Sequence, residues 1–246
     1  MKKYLLTLLV LFSVVAVAND DFKASIATGY ITRDSIYRGK EVKKIPVFGN
    51  VSYKNIYLKG SEIGAKFIDT DRFDTSIFVE LQDGYHIKPS KMNNGYKSIK
   101  KRNFQQTVGL IADIRLDEIS KKLTLSPYFS AGHRGRQVGT KLSYLYVPQE
   151  NIIISPSVNI KYLSNKYTDY YFGVDRDEIA GSIRNEYNPD GAFEFGAGLY
   201  GEYYFTKNIS ALAYLNMKQY SSEVTKSPIT EDRIITNVGA GLKYTF

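Results

Sequence analysis

The sequence predicts an all-β protein, a transmembrane antiparallel up-and-down β-barrel of about 12 strands. Three observations predict it. An export signal opens the chain, period-two alternation recurs segment after segment, and the composition is rich in Tyr (21), Phe (13) and Gly (19) with no Trp and no Cys. Aromatic and glycine enrichment at modest hydropathy is what strands with one lipid-facing and one lumen-facing side produce.

The export signal is read first. Lys2 and Lys3 form a short positive region, Tyr4 to Val15 is almost uninterrupted apolar chain, and Ala16-Val17-Ala18 supplies the small-x-small cleavage pattern. This predicts a signal peptide over residues 1–18, with Asn19 the first mature residue and 19–246 one outer-membrane β-barrel domain. The apolar run is short for a helical span of about 20 residues, and no second long apolar stretch follows it. The absence of cysteine excludes disulfides and thiol chemistry. The formal charge of +8 falls by two when Lys2 and Lys3 leave. In an exported chain with interspersed acids, that balance points to outer-membrane lipid and lipopolysaccharide phosphates rather than nucleic acid.

The alternation is clearest at the carboxyl end. Ile234, Thr236, Val238, Ala240, Leu242, Tyr244 and Phe246 share one face, while Asn237, Gly239, Gly241, Lys243 and Thr245 share the other. The first face suits lipid and the second a polar, crowded interior. The same pattern predicts strands at 22–32, 45–54, 56–60, 62–68, 73–84, 103–116, 122–134, 138–147, 151–163, 192–206, 208–220 and 233–246. A break at Gly60-Ser61 makes the number even, as bacterial single-chain barrels require. It also gathers the tight turns (54–55, 70–71, 120–121, 149–150, 207–208) at one end and the loops 33–44, 85–102, 164–191 and 221–232 at the other. Short periplasmic turns and long external loops are the usual asymmetry of such barrels. Two aromatic girdles follow: Tyr53, Phe73, Tyr146, Phe205, Tyr244 and Phe246 toward the turns, Tyr30, Tyr85, Phe104, Tyr162 and Phe193 toward the loops.

Strand parity also assigns the interior. Lys23, Lys54, Lys59, Lys66, Arg115, Arg134, Lys141, Lys161, Lys218 and Lys243 point inward, as do Glu62, Asp74, Glu80, Asp113, Glu194 and Glu202. Ten bases against six acids describe either ion pairs that plug a narrow barrel or a weakly anion-selective pore, and twelve strands accommodate both.

Signals for chemistry are sparse. His86 and His133 are the two histidines, so an outer-membrane lipid hydrolase has His133 as its one candidate base. Ser130 lies nearby but with opposite parity, and no Gly-x-Ser-x-Gly elbow occurs. Asp169, Asp175, Asp177 and Glu178 fall in one loop, yet their spacing matches no calcium-binding loop, and a solvated loop is the expectation. Gly196 and Gly198 read as crowded lumen positions rather than a cofactor turn. No catalytic, metal-binding or cofactor-binding residue is therefore expected.

Several segments resemble the MipA/OmpV family, named for an MltA-interacting protein. The most specific are Tyr170-Tyr171-Phe172-Gly173-Val174 and Ser227-Pro228-Ile229. Asn188-Pro189-Asp190-Gly191-Ala192, Gly196-Ala197-Gly198-Leu199 and the closing Gly239-Ala240-Gly241-Leu242-Lys243-Tyr244-Thr245-Phe246 also match. So do Ser130-Ala131-Gly132-His133 and Leu145-Tyr146-Val147-Pro148 in the middle of the chain. The loop around Tyr37-Arg38-Gly39-Lys40 departs from the acidic family pattern, as do Lys88, Lys91, Lys97, Lys100, Lys101 and Arg102. What the resemblance implies is a non-enzymatic outer-membrane barrel without cofactor, serving as a scaffold that links a murein hydrolase and a murein synthase to the membrane. A small-solute channel is the alternative reading, and a lipid hydrolase the weakest.

Overall fold

The computed structural model describes residues 21–231 and 234–246, so the predicted signal peptide at 1–18 lies outside the described residues. Fourteen strands form one antiparallel sheet: β1 Phe22–Arg33, β2 Val42–Lys44, β3 Val47–Tyr53, β4 Ile56–Lys59, β5 Glu62–Asp69, β6 Phe73–Asp83, β7 Gln105–Arg115, β8 Leu123–Gly132, β9 Gly135–Tyr144, β10 Tyr146–Gln149, β11 Ile152–Leu163, β12 Ala192–Tyr204, β13 Ile209–Tyr220 and β14 Ile235–Thr245. The sheet closes because β14 pairs with β1, Gly241 facing Gly29, while β11 pairs with both β9 and β12. β10 prolongs β9 after an irregularity, and β2 precedes β3 across Ile45-Pro46, where proline supplies no backbone donor. Counted as staves, the barrel has twelve.

The predicted break at Gly60-Ser61 is present. Gly60 takes φ 61°, a left-handed conformation that glycine adopts without steric cost, and the chain reverses between β4 and β5. One end carries only short connections and both described strand termini. The other carries the long segments between β1 and β3, β6 and β7, β11 and β12, and β13 and β14. Two tight reversals, Gly60-Ser61 and His133-Arg134, also lie at the long-loop end. The second corrects the expected strand 138–147, which begins at Gly135. Gly135 holds φ 120°, a positive value that glycine adopts freely, so the reversal expected over 135–137 sits instead at His133-Arg134.

Outward positions form the apolar belt, with Val108, Leu110, Phe129, Val158, Phe195, Leu199 and Leu242 exposed. Inward positions are polar or small, with inserted aromatic rings. The Tyr214 and Phe78 rings lie where a Cβ on Gly239 or Gly109 of the adjacent strand would be, so these glycines make room for inward rings. Phe48, Tyr57, Phe78, Tyr128, Tyr200 and Tyr214 all follow inward parity, so the lumen holds aromatic rings among its polar side chains.

The molecule has an apolar core outside the lumen, at the long-loop end. Helix α1, Asn165–Phe172, buries Tyr167, Thr168, Tyr171 and Phe172 on one face and stops at Gly173, whose N–H donates to the Asp169 carbonyl at 2.8 Å. The one-turn helix α2, Ser222–Thr225, adds Val224. Ile36, Tyr37, Ile87, Met92, Ile99, Val174, Ile183 and Ile229 from all four long loops join them over the strand ends Leu163, Ala192, Tyr220 and Ile235. Burial of large side chains at about 25 cal/mol per Å² of apolar area is what holds these loops together. Tyr85, expected in the outer aromatic girdle, packs against this cap instead, edge-on to Tyr171 at 5.6 Å.

Candidate functional site: a capped lumen with segregated charge

Beneath the cap, β12 supplies two carboxylates to the lysines of neighbouring strands. Glu194 lies 2.9 Å from Lys218 Nζ and 3.5 Å from Lys161 Nζ, and it accepts a hydrogen bond from Tyr85 at 2.8 Å. Register explains the group: Lys161, Glu194 and Tyr220 are directly paired, and Lys218 faces Gly196. Glu202 accepts from Lys243 and Ser210, each at 2.5 Å, and from Tyr200 at 2.6 Å. Near the short-turn end Asp74 meets Arg115 at 3.0 Å and Lys66 at 3.2 Å. A buried carboxylate in water-poor surroundings persists when partners satisfy its lone pairs. Each of these has at least two partners, though both of those on Asp74 meet Oδ2 and its buried Oδ1 has no hydrogen-bond partner among the described residues.

The opposite wall is different. Glu62, Glu80 and Asp113, together with Asp83, line a cavity of about 360 Å³ that Lys141 and Lys161 face from β9 and β11. Among the described residues, Glu62, Glu80, Asp113 and Lys141 form no ion pair within 4.0 Å. Asp113 accepts from Ser126 Oγ at 2.5 Å, and Asp83 accepts from Gln105 and Gln137 at 2.9 and 2.7 Å. This cavity thus has acids on its β5–β7 side and lysines on its β9 and β11 side, whereas elsewhere in the lumen Lys66 and Arg115 on β5 and β7, and Glu194 and Glu202 on β12, are matched by opposite charge.

Two of the predicted inward cations belong elsewhere. Lys54 occupies the short turn with φ 51°, its ammonium 5.5 Å from the outward Tyr53 ring. Arg134, in the hairpin tip, donates to the Asn103 and Phe104 carbonyls and stacks 4.0 Å over Tyr170. His133 lies at a rim cleft with Lys166, Asp169 and Asp175, whereas Ser130 is buried on the inward face, so the two side chains do not meet.

The acidic loop is the largest departure from expectation. Glu178 is fully buried and makes a two-pronged contact with Arg102, Oε1 at 2.8 Å and Oε2 at 2.9 Å. Glu178 also accepts from the backbone N–H groups of Lys100 and Asp175, and Arg102 donates to the Gly173 carbonyl at 3.1 Å. Asp175 and Asp177 remain exposed, both 2.8 Å from Lys100. Hydrogen bonds from Lys100 hold the Asp177 carboxyl below its usual range, while burial raises that of Asp169. Burial likewise pushes Tyr37, Tyr85 and Tyr167 well up, and Tyr171 to about 12, so these phenols stay neutral donors. Nothing at the level of spacing singles out Glu178 from its neighbours. The run of Tyr167, Tyr171 and Phe172 at helical spacing was the available signal for a packed loop.

A closed twelve-stave antiparallel barrel with an apolar outer belt and a polar lumen defines the protein as an outer-membrane β-barrel. Residues 26–246 match the family model described as "MltA-interacting protein MipA", and the chain belongs to that family. It is similar to a 24 kDa outer membrane protein of Pasteurella multocida, 31% identical over 84% of each chain. It also resembles the MltA-interacting protein of Escherichia coli, 27% identical over 39% of this chain and 38% of that one. An outer membrane channel from Pseudomonas putida F1 aligns over 92% of this chain and 95% of its own, at 13% identity and TM-score 0.44.

Proposed function

We propose that the barrel is a non-enzymatic scaffold that holds murein-degrading and murein-synthesising enzymes at the outer membrane, with its long loops outside and its short turns in the periplasm. The observation that carries this reading is the cap. Four long loops contribute to one apolar core across the mouth of the lumen, and such a core is built to stay closed. The partner class comes from the name of the Escherichia coli relative, and the periplasmic turns are where murein enzymes have access. The histidines add no hydrolase, since His133 and Ser130 occupy different faces. Single-channel recording of the purified barrel tests the closed state: slight conductance is expected, and large steady conductance overturns it. Affinity capture from envelope extracts should then recover murein enzymes, and loss of that capture on mutating the short turns locates their site.

A second reading, a small-solute channel, is favoured by the segregated charge around the 360 Å³ cavity, which a sealed structural plug does not require. It predicts that loosening the cap raises conductance and that Glu80→Gln changes ion preference with little effect on folding.

A further inference from the structure

The barrel wall is incomplete between β3 and β6. β4 has four residues, where a spanning strand takes about 9–11. β3 therefore pairs with β4 only from Asn50 to Tyr53, with one further bond from the Gly60 N–H to the Gly49 carbonyl at 3.2 Å. Toward the long-loop end, β2 and the first part of β3 pair with β1 alone among the described residues. Across the gap, β6 leaves β5 behind after Leu81, whose N–H donates to the Ser61 carbonyl at 2.9 Å. The loop after β6 then returns, and Lys40 N–H donates to Lys91 O at 3.2 Å while Gly39 and Met92 form a bridge. A window results, framed by β2–β3, the Gly60-Ser61 hairpin, β6 and this returning loop.

Exposure marks the same place. From Lys43 to Asn50 every residue except Pro46 is exposed, on both faces of the strand. Ile45 is 77% exposed, and Phe48, which parity aims inward, is still 43% exposed and lines a lumen cavity with Tyr200 and Tyr214. An unpaired strand edge cannot face hydrocarbon, because lipid tails satisfy no backbone donor or acceptor. Polar groups must meet it. Lys44 ends β2 at the window, and Lys88 and Lys101 flank the Ile87–Arg102 bridge of the returning loop. Burial first, and then the charge of these three lysines, lowers the pKa of the adjoining His86. None of the three forms an ion pair among the described residues, so like charge is gathered without a counterion.

We propose that this window is a lipid site. A phosphate-bearing lipid of the outer leaflet sets its headgroup among Lys44, Lys88 and Lys101 and lays an acyl chain past Ile45 and Val47 toward Phe48. The headgroup supplies the missing counterion and acceptors for the free strand edge, and the chain covers apolar surface on both sides of the wall. Pairing by a strand of another protein is disfavoured, since Pro46 offers no donor and lysines repel an added edge. The site is independent of murein-enzyme binding, so each can fail without the other.

The test uses the full barrel in phosphatidylethanolamine vesicles containing phosphatidylglycerol with a diazirine at one acyl terminus. After illumination, adducts are mapped by mass spectrometry. The expected result is labelling of Phe48 and other inward residues such as Tyr57, in addition to the outer belt. The Lys44→Gln, Lys88→Gln, Lys101→Gln triple variant should lose at least five-fold of the inward labelling, while Phe195 and Leu199 on the far side label as before. Heat-modifiable gel mobility checks that the variant is folded. Labels confined to the outer belt overturn the proposal, as does inward labelling that ignores the lysines or is matched by an uncharged diazirine diacylglycerol. Cross-linked dimers through 42–49 would assign the edge to a second copy instead.

Discussion

The cap and the lumen are two interiors of opposite kind in one chain. The cap buries Tyr37, Tyr167, Tyr171, Phe172 and Ile229 around a single two-pronged ion pair, as a water-soluble domain does. The lumen buries Glu194, Glu202, Asp74, Ser76, Thr107 and Gln137 and sends its aliphatic residues outward to lipid. The surroundings explain the inversion. The loops stand in water, where apolar area is driven inward, while the staves stand in hydrocarbon, where every polar group must find its partner within the protein. Tyr85 joins the two, its ring packed on Phe172 in the cap and its hydroxyl on Glu194 in the wall.

If the interiors are separate cooperative units, the largest effect comes from the cap's ion pair. Glu178→Ala strands Arg102 with 7% side-chain exposure, and breaking such a pair costs about 3–5 kcal/mol. Protease should cut the 164–191 loop much faster, while heat-modifiable mobility of the barrel persists. Simultaneous loss of both would show that cap and barrel fold as one unit.

Glu194→Gln probes the junction. It removes the charge that Lys161 and Lys218 share and weakens the acceptor for Tyr85, a loss of about 1.5–3 kcal/mol for charge-assisted bonds. Both the midpoint of heat-induced barrel unfolding and the protease resistance of the cap should fall. By contrast Glu202→Gln, remote from Tyr85, should lower the barrel midpoint and leave the cap unchanged.

A smaller effect is expected from the single bond between Ser227 Oγ and the Phe172 carbonyl, 2.6 Å long and buried. Ser227→Ala should weaken the cap by about 1 kcal/mol and leave the barrel midpoint untouched. The change should appear in hydrogen exchange across α1.

The smallest effect concerns acid. The Asp177 carboxyl is depressed by Lys100, so its contribution is present above the unfolded pKa of about 3.9 and lost as pH falls through the lower folded value. Asp169, raised by burial, works in the opposite sense: its charged form disfavours the folded cap, and acidification through the raised value relieves that cost. Asp177→Asn should therefore flatten the loss of cap protection at low pH, and Asp169→Asn should steepen it. Equal slopes in the two variants would deny both assignments. The exposed Asp177–Lys100 contribution should also shrink with added salt.

Period-two alternation by itself determined the staves, their sidedness and the even number that depended on Gly60-Ser61. Those signals are local, because each strand residue faces lipid or lumen according to its own place in the pleat. Alternation also carried Lys161, Glu194, Glu202 and Lys243 to the interior before any partner was known. It placed the Gly132–Gly135 hairpin a little late, because the period continues into the turn, and it was blind where an inward ring rests on a neighbour's glycine. What only the tertiary structure decided is the fate of the loops. Arg102 and Glu178 are 76 residues apart, Tyr37 donates to a carbonyl 134 residues away, and Arg38 to one 190 residues away. No periodicity encodes such contacts: they exist because closing the barrel brings four loop bases to one rim, where burying their apolar side chains together offsets the entropy of ordering them.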